Sequence, residues 1–115
     1  DRVAHPAFKI MYDTFHANVE ERRPEAAIRL IGQDIGVFHV SENDRGIPGR
    51  GHIDFAAMFT VLKEIGYDGW LTLEAFGAGL PAIAAATRVW RPLFPDFDTL
   101  FSESATFIRK TWAAA

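Results

Sequence analysis

Cysteine is absent from all 115 residues. That one gap excludes disulfides, a thiolate metal site and a cysteine nucleophile. Long apolar runs are also absent: none approaches the roughly 20 residues that a bilayer-spanning helix requires. Basic charge is in short supply, with 12 Lys and Arg against 15 Asp and Glu, a formal net charge of −3. Without a basic stripe, neither nucleic acid nor an anionic membrane is an expected partner. Nothing near Asp1 resembles a secretory leader, and the expected location is the cytoplasm. Asp1 is not an initiator methionine, so sequence upstream of it is expected. What the chain does have is apolar content. Hydrophobic residues make up 49% of it and aromatic residues 13%, which suits a packed core and excludes a disordered chain.

Three stretches share one grammar. Ala7-Phe8-Lys9-Ile10-Met11-Tyr12 is a short apolar run that ends at Asp13. Ile35-Gly36-Val37-Phe38 ends at His39, and Trp70-Leu71-Thr72-Leu73 ends at Glu74. Each has the length and the β-branched or aromatic content of a strand. Nearly continuous apolar runs suit parallel strands buried on both faces. Helical patterns lie between them. Pro24 fits a first helical turn with Glu25 beside it, and Ala27, Ile28, Leu30 and Ile31 follow at helical spacing before the stops at Gly32 and Gly36. Ile53, Ala56, Ala57, Phe59, Leu62 and Ile65 make a second stripe closed by Gly66. A third helix is expected from Leu100 to Trp112, with Phe101, Ala105, Ile108 and Trp112 on one face. Pro81 to Ala86 is a short helix or a packed loop. Glu20, Glu21, Arg22 and Arg23 read as a solvated helix entry. The order is β–loop–α three times, an α/β chain of βα repeats with parallel strands, forming one partial domain over residues 1–115.

Asp13, His39 and Glu74 therefore sit at the carboxyl ends of three successive strands. In a parallel barrel those ends share one face, and chemistry gathers there. Two carboxylates and an imidazole form an oxygen and nitrogen set that suits Mn²⁺, Mg²⁺ or Co²⁺ better than the thiolate sites of structural zinc. Each residue also has a plainer reading: Asp13 as a helix N-cap, His39 as a core histidine with a backbone partner, Glu74 as a surface carboxylate. His16 lies three residues past Asp13 and Arg45 six past His39. The Pro48-Gly49-Arg50-Gly51 stretch reads as a turn that returns the chain to the next helix.

These residues fall into motifs. Tyr12-Asp13-Thr14-Phe15-His16, with Asn18 and Glu20-Glu21, resembles the sixth-strand motif of the D-tagatose 3-epimerase and D-psicose 3-epimerase family. Phe38-His39-Val40-Ser41-Glu42-Asn43-Asp44-Arg45, with Pro48-Gly49-Arg50-Gly51, is similar to its seventh. Gly66-Tyr67-Asp68-Gly69-Trp70 leading to Leu73-Glu74-Ala75-Phe76 is similar to its eighth. The resemblance runs in detail from about residue 8 to 76, then more loosely through Val89-Trp90-Arg91 into the last helix. It implies the last three strands of a TIM (β/α)₈ barrel in the xylose isomerase-like superfamily, completed by an upstream segment or another chain. It further implies a divalent ion, Mn²⁺ foremost with Co²⁺ or Mg²⁺ as alternatives, held by Asp13, His39 and Glu74. Glu74 would also be one of two acid/base carboxylates, and His16 and Arg45 would hydrogen-bond a free sugar near O1 and O2. The implied reaction is epimerisation of a ketose at C3 through a cis-enediolate. The family's fourth ligand, which is also its second catalytic glutamate, closes the fifth strand and would fall about 20 residues before Asp1. Hydroxypyruvate isomerase, inosose dehydratase or endonuclease IV-like chemistry on the same barrel, or an inert oligomeric module, are the alternatives.

Overall fold

The computed structural model describes Val3 and residues 5–115. In chain order the elements are β1 (Ile10–Asp13), α1 (Thr14–Glu20), α2 (Pro24–Ile31), a 3₁₀ turn (Gly32–Asp34), β2 (Ile35–Val40), α3 (Phe55–Glu64), β3 (Leu71–Leu73), α4 (Pro81–Thr87) and α5 (Phe97–Ala114). The three strands form one sheet in the order β1-β2-β3, and both pairings are parallel. Parallel neighbours in sequence order, joined by helical crossovers, form a contiguous arc of a (β/α) barrel.

The register places the site. Asp13 lies opposite His39 in the first pairing, and His39 lies opposite Thr72 in the second. Side chains alternate along a strand, so Glu74 returns to the face that Thr72 occupies, one step further toward the carboxyl end. The other face of the sheet holds Tyr12, Phe38 and Val40, which pack with Ile28 of α2, Phe59 and Leu62 of α3, and Trp112 of α5. Phe38 is the hub: its ring stacks on Tyr12 at 5.3 Å and meets Phe59 edge-on at 6.3 Å. Such pairs each add about 1 kcal/mol beyond burial. On the site-bearing face Met11 is 61% exposed.

Some sequence expectations shift by a turn. The first strand begins at Ile10, with Pro6 and Ala7 in a turn before it. Glu20 closes the added helix α1, and Glu21 to Arg23 link it to α2. Pro81 to Thr87 is helical. The last helix begins at Phe97, three residues ahead of the expected Leu100, because the Asp96 side chain accepts the Thr99 N–H at 2.6 Å and caps it. Its inward face also differs: Leu100 and Ser104 are buried and Phe107, Ile108 and Trp112 pack on the core, whereas Phe101 is 58% exposed. The positions i, i+4, i+7 and i+8 share a helical face, and Phe101 lies off it. No described helix is long and apolar enough to cross a membrane.

Candidate metal centre

Asp13, His39 and Glu74 meet at the carboxyl ends of the strands. Each offers one donor atom, and the three atoms lie within 4.8 Å of one another. His39 Nδ1 is 3.7 Å from Asp13 Oδ2 and 3.5 Å from Glu74 Oε1. Both separations exceed a hydrogen bond, and Nδ1, though buried, has no hydrogen-bond partner. Bonds of about 2.1 Å place two donors on one ion roughly 3.0 to 4.2 Å apart. Both distances fall in that range. An orphaned imidazole nitrogen facing two carboxylate oxygens is thus a donor set that fits a divalent cation.

The carboxylates divide their oxygens. Asp13 Oδ1 accepts the His16 backbone N–H at 3.1 Å, which caps α1. Asp13 is therefore the N-cap that its plainer reading expected, and its second oxygen still faces His39. Glu74 Oε2 accepts from Arg45 Nη1 at 2.7 Å, while Oε1 faces the imidazole. One oxygen of each is tethered and the other presented, which lowers the entropy that either side chain loses in binding an ion.

The strand ends that carry these groups are fastened to each other. Thr14, just past Asp13, donates its hydroxyl to the Ser41 carbonyl at 2.6 Å and accepts the Ser41 N–H at 2.8 Å. Both residues are fully buried. The Glu74 N–H donates to the Val40 carbonyl at 3.1 Å and extends the β2–β3 ladder by one step.

Arg45 joins the cluster through Glu74. Its guanidinium lies over the Phe15 ring at 3.5 Å and the Phe76 ring at 5.1 Å. Its carbonyl accepts the Phe76 N–H at 2.9 Å. The fork is thus held on two sides by aromatic faces and on a third by a carboxylate, an arrangement that suits a planar cation. His16 is exposed, and its ring meets Phe15 edge-on at 5.3 Å. It lies beside the cluster through Phe15 and contributes no donor to the group of three.

Sequence reasoning missed three participants. Phe15 and Phe76 stood inside the quoted motifs, but nothing in their spacing marked them as two sides of one cation. Glu42 is not among the three grouped donors. Its carboxylate accepts backbone N–H groups from Asn43, Gly49 and Ile53 and organises the 41–53 loop. The same loop accounts for the glycines. Gly49 has φ +88 against the Phe107 ring, and a β-carbon at Gly51 would collide with the Glu42 and Asn43 side-chain oxygens.

Comparison with known proteins identifies the family of the fold. The xylose isomerase-like TIM barrel family pattern matches residues 1–110. The chain is 34% identical over 114 residues to the L-ribulose 3-epimerase of Methylomonas sp. (strain DH-1), covering 97% of this chain and 40% of that one. It is 36% identical over 98 residues to the D-psicose 3-epimerase of Enterocloster bolteae, covering 85% of this chain and 33% of that one. Among solved structures, an L-ribulose 3-epimerase superposes with a TM-score of 0.87 at 36% identity, covering 92% of this chain and 36% of that one. The Methylomonas D-allulose 3-epimerase in complex with D-allulose superposes with a TM-score of 0.83 at 34% identity, covering 90% and 36%. The chain thus spans about 40% or less of these relatives' length, and three strands of eight is a matching share. Shared sequence pattern, parallel arc and superposition together place the chain in the xylose isomerase-like TIM barrel family.

Proposed function

We propose that the full-length protein epimerises a free ketose at C3 and that this chain supplies most of its metal site and one of its two proton-transfer groups. The observation that carries the reading is the meeting of Asp13, His39 and Glu74 within 4.8 Å, in a chain whose relatives are named ketose 3-epimerases. Asp13, His39 and Glu74 would hold a divalent ion, Mn²⁺ by preference. When bound, such an ion supplies Lewis-acid stabilisation to the oxyanion that develops as the carbon beside the carbonyl loses its proton.

The chain's own residues carry the rest. Glu74 moves the proton at C3, whose loss gives a cis-enediolate. A second carboxylate on the opposite face, outside this chain, returns a proton and inverts the centre. Arg45 keeps one Glu74 oxygen occupied, so the carboxylate cannot rotate freely, and offers its remaining donors to a sugar oxygen. His16 adds a polar contact at the sugar's O1 and O2 end. Phe15 and Phe76 exclude water around the guanidinium, which strengthens its hydrogen bonds.

The test is exchange at C3. The full-length protein with a free ketose in D₂O should wash deuterium into C3, and Glu74→Gln should reduce the exchange to background. Exchange that persists in Glu74→Gln removes Glu74 from the proton-transfer role.

A further inference from the structure

Glu42 is an ionisable side chain with 0% exposure that the proposed chemistry does not use. A buried carboxylate is costly to desolvate unless its oxygens are hydrogen-bonded. Here both are. Oε1 accepts from Asn43 N at 3.0 Å and Ile53 N at 3.2 Å, and Oε2 accepts from Gly49 N at 2.8 Å. The three donors come from the beginning, the late part and the end of the excursion between β2 and α3. No neutral side chain offers two oxygens to three amides in this way. Filling the space alone would call for an apolar residue, which is the cheaper occupant of a buried site.

Inside that excursion sits Arg45. Its φ is +69, in the left-handed region that a residue with a β-carbon rarely enters unaided. The Arg45 N–H donates to the Glu42 carbonyl at 3.0 Å. With the backbone so turned, the guanidinium reaches the cleft between Phe15 and Phe76 and contacts Glu74. The lack of room for a β-carbon at Gly51 beside the Glu42 carboxylate shows how closely the loop is wrapped on this group.

We infer that Glu42 is a positioning residue: its carboxylate draws the 41–53 loop into the one conformation that delivers the Arg45 guanidinium to Glu74 and to the sugar. This rests on the epimerase reading for its functional consequence but not for its structural one. Glu42→Gln keeps the shape of the side chain but turns an N–H₂ toward a backbone N–H, so the loop relaxes and Arg45 withdraws.

The experiment is a double-mutant cycle in the full-length protein with Glu42→Gln, Arg45→Met and both together. Glu42→Gln should lower kcat/KM for the ketose at least tenfold with the loss weighted toward KM. In the Arg45→Met background the same change should cost less than twofold. An equal loss in both backgrounds overturns the proposal, because Glu42 would then act without Arg45. Should Glu42→Gln fail to fold, Glu42→Asp keeps the carboxylate but shortens its reach, and the cycle is run with that variant on the same criteria. Should the protein epimerise no ketose, the functional reading fails by itself, and the positional claim is read by NMR. The Arg45 Nε–H should exchange with water at least tenfold faster in Glu42→Gln, and unchanged exchange overturns the proposal.

Discussion

Thr14→Val in the full-length protein replaces one hydroxyl by a methyl group of nearly the same shape, so it opens no cavity. What it removes is the bridge between the ends of β1 and β2. The Thr14 hydroxyl is hydrogen-bonded to the Ser41 carbonyl at 2.6 Å and to the Ser41 N–H at 2.8 Å, with both residues fully buried. Water cannot replace it there. The variant leaves one buried amide and one buried carbonyl unpaired, at about 1 to 3 kcal/mol each, so a loss of roughly 2 to 6 kcal/mol is expected. Thr14→Ser is the control. It keeps the oxygen and gives up a methyl group, at about 1 kcal/mol. Urea unfolding followed by circular dichroism reads both, with the m-value constant across the series. Because Thr14 adjoins Asp13 and Ser41 lies two residues past His39, Thr14→Val should also weaken Mn²⁺ binding measured by calorimetry. A Thr14→Val protein no less stable than Thr14→Ser would refute the reasoning.

Two further outcomes are expected. His39→Ala should lower Mn²⁺ affinity beyond the roughly 10- to 100-fold that lost supporting contacts cost a metal site; undiminished affinity in titration calorimetry would take His39 out of the ligand set. Asp96→Ala removes the cap of α5, whose carboxyl the Thr99 N–H holds below its ordinary value. The unfolded carboxyl takes up its proton first as pH falls, so the cap's contribution is complete above about pH 4 and disappears below it. The stability gap between wild type and Asp96→Ala should therefore narrow as urea unfolding is repeated from pH 6 to pH 3, and a constant gap would reject the cap's electrostatic role.

The strand ends were legible because an apolar run that stops at a single polar residue has few other readings. Asp13, His39 and Glu74 stood out this way, and parallel register then brought them together. Beyond its cap at Asp13, the helix α1 was hidden because its seven residues carry no apolar stripe: Val19 is 64% exposed and only Thr14 and Ala17 are buried. The start of α5 was hidden because its first buried residue, Leu100, lies a turn past the cap at Asp96, and Phe97 between them is 64% exposed. Glu42 and the Phe15–Arg45–Phe76 stack were beyond sequence reasoning for a deeper reason. A carboxylate bound to amides one, seven and eleven residues ahead, or a cation between rings from two segments 61 residues apart, has no period. Such contacts come into being only when a loop closes, and no window along the chain contains them.

The donors at the centre come from three adjacent strands within one uninterrupted stretch of 62 residues, Asp13 to Glu74. The three-donor group is therefore heritable as a unit. A genetic crossover upstream of Ile10 would pass these three donors on together. Chimaeras joined at that point offer a way to vary the remainder of a barrel while these three donors stay the same.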